Sequence, residues 1–225
     1  MVKFNYLSRR EQEIWDLVKD KEILDTELLE QIFPEYLPNK ILFNLAKKGF
    51  LKRARRNLYY NPLKLRDFNL LALKIRSGYI GLSSALKYYG LLDYEDFTIT
   101  IITKSFQKKR ILSGTKYALN YVPLKDRFNG YEKKGKIYVS SLEKTFFDCF
   151  LKPNNIGYTN ITKALYQAKI DWRRFLSFYE TANSSICQRT GYILDMMKKT
   201  KFKVPAFVLD FLQKRVKSPV KLGKG

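Results

Sequence analysis

Histidine is absent from this chain of 225 residues. Nucleophilic catalysis with a histidine base is thereby excluded, and metal sites lose their commonest ligand. The two cysteines, Cys149 and Cys187, stand far apart inside apolar helical patterns. Neither a disulfide framework nor a metal site is expected from them, and a reducing cytoplasm is the compartment they suggest. No apolar run approaches the length that spans a bilayer, so no membrane association is expected. The opening residues Met1-Val2-Lys3-Phe4-Asn5-Tyr6 carry no signal-peptide hydrophobic stretch. Acids are scarce: 21 stand against 43 Lys and Arg, for a formal charge of +22. A heat-adapted surface would pair its lysines with glutamates. The excess is therefore read as long-range attraction for an acidic partner or nucleic acid, with biased composition as the bland alternative.

The scarcity of acids is sharpest between Tyr36 and Arg66, where nine Lys or Arg residues occur without one carboxylate. Residues 1–66 hold 14 basic and 9 acidic groups, and the rest of the chain 29 and 12. Ser8-Arg9-Arg10-Glu11 has capping-box spacing and opens a first helix, with Ile14, Trp15, Leu17 and Val18 as its apolar face. Asp25 or Thr26 caps a second helix, with Leu28, Leu29 and Ile32 turned inward and Pro34 as its stop. Pro38 suits the first turn of a third helix that ends near Gly49. Its apolar side is Ile41, Leu42 and Leu45, and its outward side gathers Lys40, Phe43, Asn44 and Lys47. A basic hairpin follows, Gly49 to Tyr60. Three short helices and a hairpin outline a winged helix-turn-helix.

A cationic face of this kind binds duplex DNA by displacing counterions from phosphates. The candidate DNA contacts are Asn39, Lys40, Phe43, Asn44, Lys47 and Lys48 on the third helix, with Lys52, Arg53, Arg55, Arg56 and Asn57 on the hairpin. Asn can bond an adenine edge bidentately, and Lys can reach guanine or phosphate. A solvated charged face on an ordinary hairpin is the competing reading. Tyr59 and Tyr60 are expected to serve the core rather than bases.

Beyond Asp67 the pattern is mixed. A helix covers 67–76, and Tyr79-Ile80-Gly81-Leu82 leads into a helix that stops at Gly90. Strands are expected near 97–102, 110–112, 116–123 and 136–140, with 129–135 as a turn. Helices fill 141–151, 160–169, 171–181, 184–199 and 205–216. The fold class is accordingly α/β (α+β): a winged helix over 1–66, a small mixed sheet backed by helices over 67–216, and a disordered basic tail over 217–225. Lys108, Lys109, Arg110, Lys163, Lys169, Arg173 and Arg174 are candidates for a second basic surface.

No catalytic set emerges. Asp93, Glu95 and Asp96 cluster at a helix end and read as solvated loop acids. Glu132-Lys133-Lys134 matches the Glu-x-Lys fragment of a common nuclease core, but falls in the expected turn. No P-loop, dinucleotide fingerprint or nucleotidyltransferase signature occurs, and no cofactor is expected.

The order of the winged helix, the run Gly78-Tyr79-Ile80-Gly81-Leu82-Ser83-Ser84-Ala85-Leu86-Lys87-Tyr88-Tyr89-Gly90-Leu91, the helix Ser141-Leu142-Glu143-Lys144-Thr145-Phe146-Phe147-Asp148 and the segment Gln188-Arg189-Thr190-Gly191-Tyr192-Ile193-Leu194 resembles the AbiEi antitoxin family. The resemblance spans roughly residues 8–210. It departs from the family at Tyr88-Tyr89-Gly90, where members often carry Tyr-His-Gly, and in the basicity of the C-terminal part. The resemblance implies a non-enzymatic transcriptional regulator of a type IV toxin–antitoxin system. Such a regulator binds inverted repeats in its own promoter and opposes a nucleotidyltransferase toxin. It would be a monomer in solution that binds DNA in pairs. The rivals are a stand-alone regulator without a toxin and, further off, an enzyme acting on nucleic acid.

Overall fold

In a computed structural model the described residues are 6–94, 97–200 and 202–217. Glu95, Asp96 and the tail 218–225, on which sequence expectations were placed, lie outside them. The order of elements starts from the capping box. Ser8 Oγ accepts from the Glu11 amide at 3.4 Å, and the Ser8 amide donates to Glu11 Oε2 at 2.7 Å, so α1 runs Arg9–Val18. Such a cap contributes about 1 kcal/mol. A short strand, β1 (Ile23–Asp25), comes next, and Asp25 both ends it and caps α2 (Thr26–Ile32). A 3-10 turn at Pro34–Tyr36 and a left-handed Leu37 redirect the chain into α3 (Pro38–Lys47), with Pro38 at its first position. The hairpin is β2 (Lys52–Arg55) and β3 (Leu58–Tyr60).

β3 lies between the other two strands, antiparallel to both. Three helices and a three-stranded sheet in the order β1-β3-β2 form a winged helix-turn-helix. Ile14, Val18, Leu24, Ile41, Leu42, Leu45, Leu51 and Tyr59 make its core. Two inward assignments on α2 fail: Leu28 is 57% and Ile32 54% exposed, and Leu29 alone of the three packs on the core. Seven residues give α2 just two turns, and only a narrow stripe of it reaches α3. Leu17 on α1 is likewise half exposed.

The remaining elements are α4 (Phe68–Ile75), β4 (Tyr79–Ile80), α5 (Leu82–Tyr88), β5 (Thr98–Thr103), β6 (Arg110–Ile111), β7 (Ala118–Pro123), β8 (Tyr131–Lys134) and β9 (Ile137–Ser140). Five helices follow: α6 (Leu142–Leu151), α7 (Tyr158–Gln167), α8 (Trp172–Ser177), α9 (Ser184–Lys199) and α10 (Ala206–Lys214). The second sheet has six strands in the order β6-β7-β5-β4-β9-β8. It is mixed, since β4 pairs antiparallel with β5 but parallel with β9. The chain is therefore a mixed α+β protein. The segment 129–135 corrects the sequence reading. Residues 131–134 form a strand, paired from Tyr131↔Ser140 to Lys134↔Ile137, and only the tip near the left-handed Gly135 turns.

Two compact units result. The first comprises Met1–Ser77, Phe97–Ile99 and Lys108–Asn120, so it reaches well past Arg66. The second comprises Gly78–Asp96, Thr100–Gln107 and Tyr121–Gly225. In the second unit α6 is buried on every side. Lys144 and Asp148, both fully covered, form an ion pair one turn apart, and the Tyr79 hydroxyl donates to Asp148 at 3.3 Å. Burial pushes the Asp148 carboxyl up to about 6 and the Lys144 ammonium down.

Candidate nucleic-acid interface

On α3 the inward residues Ile41, Leu42 and Leu45 leave the other side of the helix open. Asn39, Lys40, Phe43 and Lys47 are exposed there, and Asn44 is half-buried. The Lys47 ammonium rests 4.6 Å from the centre of the Phe43 ring, which is 40% exposed. Four of the five can present hydrogen-bonding groups, and Phe43 adds an apolar one suited to a thymine methyl. Lys48 belongs elsewhere. Its ammonium lies 2.6 Å from Glu11 Oε2 and donates to the Tyr6 carbonyl at 2.8 Å, which ties α3 to α1. Lys48, with the Ser8 amide, holds the Glu11 carboxyl down at about 2.

The hairpin sorts in the same way. Arg53, Arg55 and Arg56 are exposed, and Arg55 folds back to donate to the Arg56 carbonyl at 3.1 Å. Among the described residues none of Lys40, Lys47, Arg53, Arg55 and Arg56 forms an ion pair. Asn57 is absorbed by the turn. It adopts φ 60, its carbonyl accepts from the Thr26 amide and hydroxyl at 3.0 Å each, and its side chain donates to Glu27 at 3.3 Å. Tyr59 and Tyr60 are buried, and burial pushes both phenols up.

The hairpin is also held from a distant part of the chain within the same unit. The Tyr60 hydroxyl donates to the Ser113 carbonyl at 2.8 Å. Arg110 Nη2 donates to the Ala54 carbonyl at 2.7 Å, at the point between Arg53 and Arg55 where β2 shifts register against β3. A Cβ on Gly114, which sits at φ 76, would lie 3.1 Å from the Lys52 stem. Lys52 is accordingly half-buried. Composition gave little signal for this: Phe97 to Lys125 lacks acids, but so do Phe68 to Leu92 and Cys149 to Ile170.

The seven candidates for a second basic surface fall into both units. Lys108, Lys109 and Arg110 belong to the first, and Lys163, Lys169, Arg173 and Arg174 to the second. Arg174 is committed to carboxylates: it pairs with Glu132 and lies 3.7 Å from Glu143. Lys163, Lys169 and Arg173 are exposed.

Glu132 and Lys134 stand on a strand, so their position in a turn no longer argues against the nuclease fragment. Their partners do. Lys134 binds Glu132 at 2.8 Å, Arg174 bridges Glu132 to Glu143, and Glu143 also accepts from the Asp171 amide at 3.3 Å. Both carboxylates are neutralised by cations where a metal would need them free. Among the described residues no group of three His, Cys, Asp or Glu side chains is placed to hold a metal. Cys149 and Cys187 are free and buried, with both thiols pushed up by burial. Among the described residues no helix is long and apolar enough to cross a membrane.

No family model matches the sequence, and none of the curated proteins does. Among solved structures the chain is similar to the RV2827C protein from Mycobacterium tuberculosis. The TM-score is 0.68 at 15% identity, over 96% of this chain and 84% of that one. A likeness at that identity speaks for the fold, which extends over both units.

Proposed function

We propose that this chain is a sequence-specific DNA-binding regulator, in which α3 reads the major groove and the β2–β3 wing grips the flanking backbone. One observation carries the reading: the outward side of α3 and the exposed wing present Lys40, Lys47, Arg53, Arg55 and Arg56, and among the described residues no carboxylate is paired to any of them. A cationic wing supplies affinity that is blind to sequence, and polar side chains on a helix of this placement supply the reading of base edges. A solvated face would serve solubility equally well, but it would have no reason to exclude acids over thirty consecutive positions.

The resemblance to AbiEi antitoxins adds the biological role. Under it the protein represses its own operon through inverted repeats, binding in pairs, and opposes a nucleotidyltransferase toxin. A neighbouring gene for such a toxin separates this role from that of a stand-alone regulator. The strand position of Glu132 and Lys134 favours an enzyme acting on nucleic acid as the second reading, and the pairing of Glu132 with Lys134 and Arg174 weighs against it. Metal-dependent nicking by the purified protein, lost in E132Q, would favour it over the binding role.

The direct test is selection of bound fragments from a genomic DNA pool. Enrichment of a defined motif upstream of its own gene is the expected result. Recovery of random fragments only would overturn sequence-specific regulation.

A further inference from the structure

The segment 108–120 folds with the winged helix, although in sequence it follows elements of the other unit. Its geometry is rigid. β6 and β7 pair through Arg110↔Leu119 and Ile111↔Ala118. The turn between them is closed by Leu112 N–Tyr117 O at 2.9 Å and Thr115 N–Leu112 O at 3.1 Å, and the Thr115 hydroxyl accepts from the Tyr117 amide at 3.1 Å. Tyr117 stacks on Phe68 with ring centres 4.2 Å apart, which fastens the hairpin to α4. On its other side the hairpin meets the wing through Arg110, Ser113 and Gly114, as described above. Arg110 reaches Ala54, and the neighbours of Ala54 are Arg53 and the exposed Arg55. Lys108 and Lys109 are exposed immediately before Arg110, and among the described residues neither forms an ion pair.

From this arrangement we infer that the β6–β7 hairpin is a second wing: Lys108 and Lys109 extend the phosphate-binding track of Arg53, Arg55 and Arg56 along the backbone of duplex DNA. The inference rests on the proposed DNA-binding role and names a further part of that interface. Two features favour contact over mere solvation. Arg110 and Ser113 hold the hairpin against the wing, so Lys108 and Lys109 directly precede a side chain that is bonded between Arg53 and Arg55. The whole segment from Phe97 to Lys125 lacks acids, and among the described residues no carboxylate pairs with Lys108 or Lys109. The backbone beside the lysines is anchored through Arg110, so only their side chains would have to be ordered on binding.

Salt titrations on a duplex carrying the selected motif test it, with four full-length proteins: wild type, R55A/R56A, K108A/K109A and K198A/K203A. The last removes two exposed lysines of the second unit that lie outside the seven candidates, and so matches the change in total charge. Each lost phosphate contact lowers the log–log salt slope by about 0.9. A second wing predicts that K108A/K109A loses about 1 to 2 slope units while K198A/K203A loses less than half a unit. All four proteins should unfold at the same temperature, since the substituted side chains are exposed. If R55A/R56A lowers the slope but K108A/K109A does not, the first wing stands and the second is refuted. Equal losses in K108A/K109A and K198A/K203A would mean that only overall charge matters, which also refutes it. If wild type binds no duplex at about 50 mM salt, the DNA-binding role itself fails and the inference falls with it.

Discussion

The ammonium of Lys48 and the carboxylate of Glu11 meet at 2.6 Å, with Glu11 nearly covered and also held by the Ser8 amide. This pair belongs to stability. The folded Glu11 titrates at about 2, below its ordinary 4.5, so its contribution is complete above pH 4.5 and drains as pH falls towards 2. Lys48→Met should therefore cost about 1–2 kcal/mol at pH 7, by leaving a covered charge unpaired. In urea unfolding the gap from wild type should narrow between pH 4.5 and 2. A gap that stays constant over that window would contradict the pairing. The same variant should leave the salt slope on DNA unchanged. Under the proposed DNA-binding role Asn44 and Lys47, in contrast, serve recognition. Asn44→Ala and Lys47→Ala should each cost roughly 1–3 kcal/mol on the selected site and little on random duplex. Competition binding on the two DNAs measures this, and equal losses on both would remove α3 from the recognition role. At this scale the sequence revealed which residues carry charge but not what they pair with. Lys47 and Lys48 are adjacent lysines, and only the 100° step between them sends one outward and the other to Glu11.

Elements were more legible than contacts. The capping box at Ser8, the prolines at 34 and 38 and the glycine at 49 each mark a local event fixed by a few neighbouring atoms, and α1, α2 and α3 begin and end accordingly. β1 escaped notice because three residues between two helices have no periodicity of their own. They become a strand only because Ile23 and Leu24 find Tyr60 and Tyr59 across the sheet. β8 was hidden for a related reason. Tyr131-Glu132-Lys133-Lys134 is polar on both faces and reads as a loop until β9 offers it a ladder. The wing was visible as a charge anomaly, and its function can be tested as an element. Arg55→Ala with Arg56→Ala should weaken binding to every duplex and reduce the salt slope by about 0.9 per lost phosphate contact. An unchanged slope would show that the wing does not touch the backbone.

For the whole molecule, the formal charge of +22 is spread over both units and gives no boundary between them. The apparent division at Arg66 follows the end of the hairpin, whereas the compact unit also takes in α4 and the 108–120 segment. No local pattern announces that return, because it depends on side chains that meet across more than fifty positions, such as Tyr60 with Ser113. A fragment ending at Arg66 would leave the buried Tyr60 hydroxyl without its acceptor and the β2 edge without Arg110. Each loss is of the order of 1–3 kcal/mol, a large share of the stability of so small a domain. Residues 1–66 alone should consequently melt well below the full-length protein and bind duplex more weakly than it does. Equal melting temperatures by circular dichroism would show that the later segment is dispensable.

The discontinuity of that first unit has a further meaning for a chain that is made from one end. At ordinary elongation rates the stretch from Asp67 to Asn120 takes roughly 3 to 10 s to synthesise. Helices and hairpins form in microseconds, so the elements of the winged helix can form long before Arg110 is made. Until then the edge strand Lys52–Arg55 would lack the Arg110 bond to Ala54, and an open strand edge can pair with another copy. Cationic side chains along that edge are the means by which two such half-made chains would repel each other. Charge on an edge strand opposes such pairing, so the cations of the wing would hold half-made copies apart before any role on DNA.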